Sequence, residues 1–398
     1  MNCRICKARL GASFLNLGRQ ALANNLAESK ASAQHASTYP LEVARCVECG
    51  TVQLTETVPP RALFGHYLYE TGVSAAFRTH FAQYAQTVAE RIGEPGPVID
   101  IGSNDGTLLS YFKEAGWPVC GIDPATNLVE RANERGIFTL LGFWDDEMAA
   151  QAGPAKLITA NNVFAHTQDL HDFIEAVKLA LEPDGWFVFE VVDLKTMLQA
   201  GTFDLLYHEH IFTHSVGGLV ELFARHDMEV VDVEDVSSHG GSLRCYVRHV
   251  RQSALPSVRE HVMTERSAGL FDGDGKVFQD FAERADRVRR DFVSVLAGYR
   301  NRGLNVVGYT CPAKAATLLN YCGITGVDLD YIVDDNPLKQ GRWLPQAGIP
   351  IRGSDEVDLR KAGAIVVFAW NVADEIIPKL PPGPDIIVPM PTPRVVKR

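Results

Sequence analysis

The run Val98-Ile99-Asp100-Ile101-Gly102-Ser103-Asn104-Asp105-Gly106 limits the folds open to this chain more than any other stretch. Four residues of strand character meet a glycine turn and then a helix-forming segment at 107–115. That order specifies a strand–turn–helix unit, because Gly102 and Gly106 let the backbone approach its neighbours closely. The pattern then repeats. Residues 119–122, 157–160 and 186–192 read as strands with helical stretches between them, which predicts a parallel, doubly wound sheet. Residues 228–233 and 242–249 read as a closing pair of strands. After a long charged helical stretch at 257–302, strand-like runs at 305–309, 330–334 and 364–368 predict a second, smaller α/β unit.

Upstream lie two C-x2-C pairs, Cys3/Cys6 and Cys46/Cys49. Each pair can hold one zinc ion from a tight turn, and four thiolates complete a closed tetrahedron with no open position for chemistry. Zinc is therefore expected to staple a small N-terminal subdomain. A nucleic-acid-binding ribbon is the other reading, but the segment has few cations and no basic–aromatic stripe. Residues 59–92 read as helical, with no Gly or Pro over 75–91. The expected class is α/β, with four parts: a zinc-binding subdomain (1–57), a helical bridging segment (58–95), a central Rossmann-like unit (96–252) and a smaller C-terminal α/β unit (253–398).

Composition narrows the partners. The 398 residues carry 38 basic and 49 acidic side chains, a net charge of −11, with no lysine- or arginine-rich block. Such a surface repels nucleic acid and anionic membrane, so an anionic substrate would be held by a few local cations. The start, Met1-Asn2-Cys3-Arg4, lacks the positive-then-apolar order of a secretory leader, and no apolar run approaches a membrane span. A cytoplasmic, monomeric protein is the expectation.

The glycine loop points to a cofactor. At the end of the next strand Asp123 stands where a carboxylate grips both hydroxyls of a ribose. A dinucleotide site would place glycines against a pyrophosphate as G-x-G-x-x-G. Here Gly102 and Gly106 are four apart, and Asp100, Ser103, Asn104 and Asp105 crowd the turn. Acidic groups repel a pyrophosphate but suit the amino group and sulfonium of S-adenosylmethionine. Asn161, Asn162 and His166 follow the next strand and would line the same cleft, while Phe143 and Trp144 either flank the adenine or belong to the core.

Tyr207-His208-Glu209-His210 is the most unusual polar cluster in the chain. His210 and His214 are four apart, but the H-E-x-x-H metal pattern fails at Ile211, and at Phe212 when begun from His208. A histidine beside a carboxylate suits general base work on a weakly acidic C–H; satisfied core histidines are the plainer alternative. His239-Gly240-Gly241 opens the last strand of the central unit, as a site loop or a bulge.

Together these residues resemble the zinc-containing, S-adenosylmethionine-dependent sugar C-methyltransferases that act on nucleotide-linked keto-deoxysugars. The resemblance spans the whole chain. It includes the cysteine pairs, Tyr67-x-Tyr69 with Ser74, the 100–106 loop, 160–166, 207–210 and 239–244. In the C-terminal unit it includes Gly308 to Lys314, Asp334-Asp335-Asn336-Pro337, Lys339 to Arg342 and Ala369-Trp370-Asn371. It implies methylation of a carbon next to the ketone of a nucleotide-diphosphate 4-keto-deoxysugar, with C-3 expected and His210 as base. Tyr67, Tyr69, Tyr207 and Glu209 would line the sugar site, joined by His239. Ser74, Arg244, Lys314, Lys339, Arg342 and Asn371 would contact the substrate. Val191-Val192-Asp193 and Thr213 depart from the pattern, which bears on the identity of the sugar. An O- or N-methyltransferase, an NAD-linked sugar oxidoreductase and a non-enzymatic regulator are the alternatives.

Overall fold

Strands and helices alternate through most of the chain, and the apolar pattern sorts them into three sheets. The computed structural model describes every residue except His66, Leu68, Tyr69, Ser74, 251–253 and Arg398. The N-terminal sheet runs Ser13–Ala21, Thr38–Arg45, Val52–Leu54 and Phe212–Thr213, all antiparallel. Its last strand comes from the central part of the sequence. Phe212 pairs with Gln53 and Thr213 with Val52.

The central sheet has seven strands in the order Met228–Val236, Ser242–His249, Leu181–Val192, Ala155–Thr159, Val98–Ile101, Val119–Asp123, Thr139–Leu141. The last five are parallel, and the first two close the sheet antiparallel. Val98–Ile101 is buried at all four positions, as a parallel strand covered on both faces must be. Gly102 ends it with φ 68, and a Cβ there would stand 2.3 Å from Val163 Cγ2. Only glycine meets both demands.

The C-terminal sheet runs Trp343–Leu344, Ile349–Arg352, Ile332–Val333, Val306–Tyr309, Ala364–Val367, Asp385–Val388, Arg394–Val396. Its last strand, Arg394–Val396, pairs antiparallel with Asp385–Val388. The charged stretch at 257–302 is two helices, Pro256–Ser267 and Lys276–Arg300. The first packs on the strand Met228–Val236. The second buries Phe278, Phe281, Ala285, Val288, Phe292, Leu296 and Tyr299, an i, i+3, i+4 stripe. That stripe joins Leu15, Leu17 and Val43 of the N-terminal sheet to Leu318, Leu319 and Ile332 of the C-terminal unit in one core. The central sheet's core is separate, and it takes in Cys3, Ile5, Cys46 and Cys49. Among the described residues no helix is long and apolar enough to cross a membrane.

Arg244 helps to close the central sheet. It stands directly across from Glu190 on the neighbouring strand and donates to its Oε1 from Nε (2.9 Å) and Nη2 (2.8 Å). His80 Nε2 lies 2.7 Å from the other oxygen, and Glu190 is fully buried. Removing one partner of such a pair strands a charge in a dry site, so Arg244→Met should cost about 3–5 kcal/mol in urea unfolding. The Glu190→Gln/Arg244→Met pair should cost less. An unchanged unfolding midpoint in the single variant, with a raised KM, would return Arg244 to substrate contact.

Candidate active site

A doubly wound sheet binds ligands beyond the carboxyl ends of its strands, where the strand order reverses. This chain has two such points. In the central sheet Val98–Ile101 has Val119–Asp123 on one side and Ala155–Thr159 on the other; in the C-terminal sheet Val306–Tyr309 sits likewise between Ile332–Val333 and Ala364–Val367. Both open onto one cleft of about 970 Å³.

On the central side, Asp123 Oδ2 accepts from the Asn104 amide and Oδ1 from the Ala125 amide, both at 2.9 Å. Each oxygen keeps a second lone pair, and Asp123 lines the cleft. Burial pushes Asp123 up to about 6. It pushes Asp100 up to about 7, although the Thr159 hydroxyl donates to Asp100 at 2.6 Å and works against the shift. Ser103 Oγ is buried with no partner. Asn104 and Asn162 take φ of 54 and 57, left-handed values that asparagine tolerates. This donor set fits S-adenosylmethionine: acidic groups for its cationic portion and a twin-oxygen acceptor for a ribose diol.

The segment after the short helix Leu194–Ala200 carries the polar cluster Tyr207 to His210. His210 Nδ1 donates to the Leu205 carbonyl at 2.6 Å. That bond fixes the tautomer and leaves Nε2 with its lone pair. The ring lies between His166, 5.2 Å away and nearly parallel, and Tyr207 at 4.0 Å. Burial holds His210 down to about 4 and His239 to about 3, so both are neutral at pH 7. Glu209 stands behind two residues that line the cleft, Tyr67 and Asn24. It accepts from Tyr67 Oη (2.7 Å) and Asn24 Nδ2 (2.7 Å), and burial pushes it up to about 7.

On the C-terminal side, Lys314 Nζ donates to Asn371 Oδ1 and stands 4.2 Å above the Trp370 ring. Lys339 Nζ donates to the Cys311 carbonyl at 2.8 Å, with Asp334 at 3.6 Å.

The four cysteines form the metal centre. Their sulfurs all lie within 4.8 Å of one another, with Cys3–Cys49 at 3.6 Å and Cys6–Cys46 at 3.4 Å. A zinc bonded to four thiolates at about 2.3 Å sets them about 3.8 Å apart, so the cage fits. Gly50 closes the second knuckle with φ 72. Gln53 Nε2 donates to Cys3 Sγ at 3.2 Å, and the same residue pairs through its backbone with Phe212. Among the described residues no other His, Cys, Asp and Glu side chains gather this way. His214 is a core residue, stacked on Phe164 and held down to about 3 by burial.

Of the residues singled out from sequence, the cleft collects Asp100, Gly102, Ser103, Asn104, Asp123, Phe143, Asn161, Asn162 and His166. It also collects Tyr67, Tyr207, His210, His239, Lys314, Lys339 and Asn371. It does not collect Asp105, Gly106, Glu209, Arg244 or Arg342. Asp105 is bound to Arg135 (2.9 Å) and Thr107 (2.6 Å), and Arg342 pairs with Glu28 at the surface (3.3 Å). Tyr69 and Ser74 lie outside the described residues. Sequence reading missed Asn24, Asp204 and Phe64. Phe64 stacks on His166 at 5.6 Å. None of the three sits in a motif.

The fold and the two centres define a methyltransferase that uses S-adenosylmethionine and carries a structural zinc site. The C-methyltransferase NovU of Streptomyces niveus is 34% identical over 406 aligned residues, covering 99% of this chain and 96% of the relative. The chain belongs to that family of C-methyltransferases. Family models agree: a zinc binding domain at residues 3–64, a methyltransferase domain at 75–233 and a C-methyltransferase C-terminal domain at 237–391. Among solved structures, the PH0226 protein of Pyrococcus horikoshii is 14% identical, covering 49% of this chain and 100% of its own, at a TM-score of 0.37. The glycopeptide N-methyltransferase MtfA with bound S-adenosylmethionine is 14% identical, covering 42% and 93%, at 0.35.

Because the zinc knuckles hold the sheet on which Phe212–Thr213 pairs, stripping the metal should loosen His210 before it disturbs the cofactor crevice. Cys46→Ser or prolonged chelation is expected to release a single zinc per chain and reduce kcat, while S-adenosylhomocysteine affinity changes little. Full activity in a demonstrably zinc-free protein would contradict this coupling.

Proposed function

We propose that the chain methylates a carbon next to the ketone, C-3 being the expected one, of a nucleotide-diphosphate 4-keto-deoxysugar. The observation that carries this reading is the lone pair of His210 Nε2, held neutral in the cleft that joins the cofactor crevice to the second switch point. S-adenosylmethionine supplies the electrophilic methyl carbon. The ketone acidifies the adjacent C–H, and His210 takes the proton at Nε2. Tyr67, oriented by Glu209, and Tyr207 shape the sugar site. Asp123 fixes the ribose of the cofactor, with Asp100, Asn161 and Asn162 beside it. Segment 1–57 in this reading is a clamp, 58–95 a wall of the cleft, 96–252 the cofactor unit and 253–398 the nucleotide-sugar unit. The four parts enclose one cleft within a single chain, which supports a monomer; action in the cytoplasm, without nucleic acid or membrane, is part of the same reading.

His210→Asn removes the base and keeps the size. Its kcat should fall on the order of 10²–10⁴-fold, with S-adenosylhomocysteine affinity intact. Incubation with a 4-keto sugar nucleotide in deuterium oxide should wash deuterium into the carbon next to the ketone with wild type and not with the variant. Methylation without any such exchange would favour an oxygen or nitrogen acceptor.

Asp123 yields a pH test. Its carboxyl is raised to about 6 in the open cleft, so it is charged above that pH and neutral below it. A neutral carboxyl accepts a diol poorly, so S-adenosylhomocysteine affinity should drop as pH falls through about 6. In Asp123→Asn the calorimetric affinity should be weak throughout and should lose most of this dependence.

A further inference from the structure

The Lys314 ammonium is an unusual group to find in this cleft. It is only 8% exposed and sits in the first turn of the helix Ala313–Cys322. Burial draws it down to about 8, and the charge of Asp204 resists the shift. Asp204 is itself buried, with Oδ2 accepting from Trp370 Nε1 at 2.6 Å and Oδ1 without a partner. Trp370 is thus a platform with Lys314 over its face and Asp204 at its edge. The six-membered part of the same ring packs on Gly240, where an added Cβ would stand 2.8 Å from Cη2. Gly240 follows His239, held in left-handed backbone with φ 54. Asp204 in turn precedes Leu205, whose carbonyl anchors His210. Lys314 therefore stands at the junction of the two loops that bring His210 and His239 into the cleft.

A cation meant for a diphosphate is most useful at an exposed mouth. Lys314 lies deep, carries its own counter-charge, and uses one N–H on Asn371. We propose that Lys314 is a catalytic residue that steadies the enolate oxygen, with Asp204 and Trp370 as its positioning residues. The proposal rests on the keto-sugar reading above. As the C–H bond breaks, its proton goes to His210 Nε2, its electron pair forms the enolate double bond, and the carbonyl π pair moves onto oxygen. Lys314 donates a hydrogen bond to that oxygen and keeps its proton. When the new carbon–carbon bond forms, the carbonyl is restored and the sulfonium's C–S bond breaks with its pair left on sulfur.

The probe is thymidine diphosphate 4-keto-6-deoxyglucose, which has a C–H on both sides of its ketone. Lys314→Met should lower kcat and deuterium exchange together, by about 10²–10³-fold, as for loss of one oxyanion donor. Inhibition by thymidine diphosphate and binding of S-adenosylhomocysteine should stay within about twofold. A KM and a thymidine diphosphate inhibition constant both raised about tenfold, with kcat kept, would make Lys314 a diphosphate contact and overturn the proposal. Should the single variant lose S-adenosylhomocysteine binding through misfolding, Asp204→Asn/Lys314→Met removes both buried charges and is read in the same way. Asp204→Asn alone should move the alkaline limb of kcat to lower pH, since Lys314 then loses the carboxylate whose charge resists its downward shift and keeps His239 beside it; an unmoved limb speaks against the assignment. Wild type that neither exchanges nor methylates the probe overturns the keto-sugar reading and takes this proposal with it. Wild-type turnover with an unaffected Lys314→Met sinks the lysine alone.

Discussion

Eleven residues, Phe203 to Thr213, cross the seam between two hydrophobic cores, and the rest of the site depends on that crossing. Phe203, Leu205 and Leu206 are buried in the core shared by the N-terminal sheet and the C-terminal unit. Ile211 and Phe212 are buried in the core of the central sheet. Between these anchors the polar residues Tyr207 to His210 have little room to move. The two ends are also tied by specific bonds, Asp204 to Trp370 at one and the pairing with Val52–Leu54 at the other. Ordering a loop costs roughly 1–2 kcal/mol per residue in backbone entropy. Here apolar burial on both flanks offsets that cost before any ligand arrives. A zinc site with no open coordination position would bear on the chemistry in this way, since it holds the sheet on which the segment ends.

Burial also sets the protonation states. Four histidines of the region, His166, His210, His214 and His239, are held far below their ordinary range by desolvation, while Asp100, Asp123 and Glu209 are pushed up by the same cause. In the proposed reaction a neutral imidazole in a dry cleft would be a stronger base toward carbon than its depressed pKa suggests in water, because a developing imidazolium would meet a developing enolate beside it. The two charges would arise together, and the low dielectric that penalises each alone would strengthen their attraction.

Much of this was legible in the sequence. The strand Val98–Ile101 with its glycine turn, the hairpin partner Ser242–His249 and the four-cysteine cage were each determined by local pattern: unbroken burial, left-handed backbone or ligand spacing. What local pattern does not carry is the partner of a side chain. Nothing near Glu209 in sequence indicates that Tyr67 and Asn24 would consume both its oxygens, or that Arg244 would face Glu190. The joining of Phe212–Thr213 to the N-terminal sheet is likewise a long-range pairing, more than 150 residues apart, with only two residues to announce it. Asp105 illustrates the converse. Its place in a cofactor-like loop suggested a ligand, yet Arg135, remote in sequence, turned it inward.

The cleft is sorted by charge, and that sorting favours two different ligands over one. At the strand ends the central side offers Asp100 and Asp123, while the C-terminal side offers Lys314 and Lys339 beside Asp334; Arg61 also lines the cleft. A cationic cofactor bound to the second side, or an anionic substrate to the first, would face like charge in a poorly screened space. Each ligand is therefore steered to its own switch point, and the neutral histidines lie between the two. In a chain with a net charge of −11, two buried lysines are a costly feature to maintain, since each must bring its own carboxylate, Asp204 or Asp334. That cost is repaid only if something negative, resident or transient, comes to rest beside them.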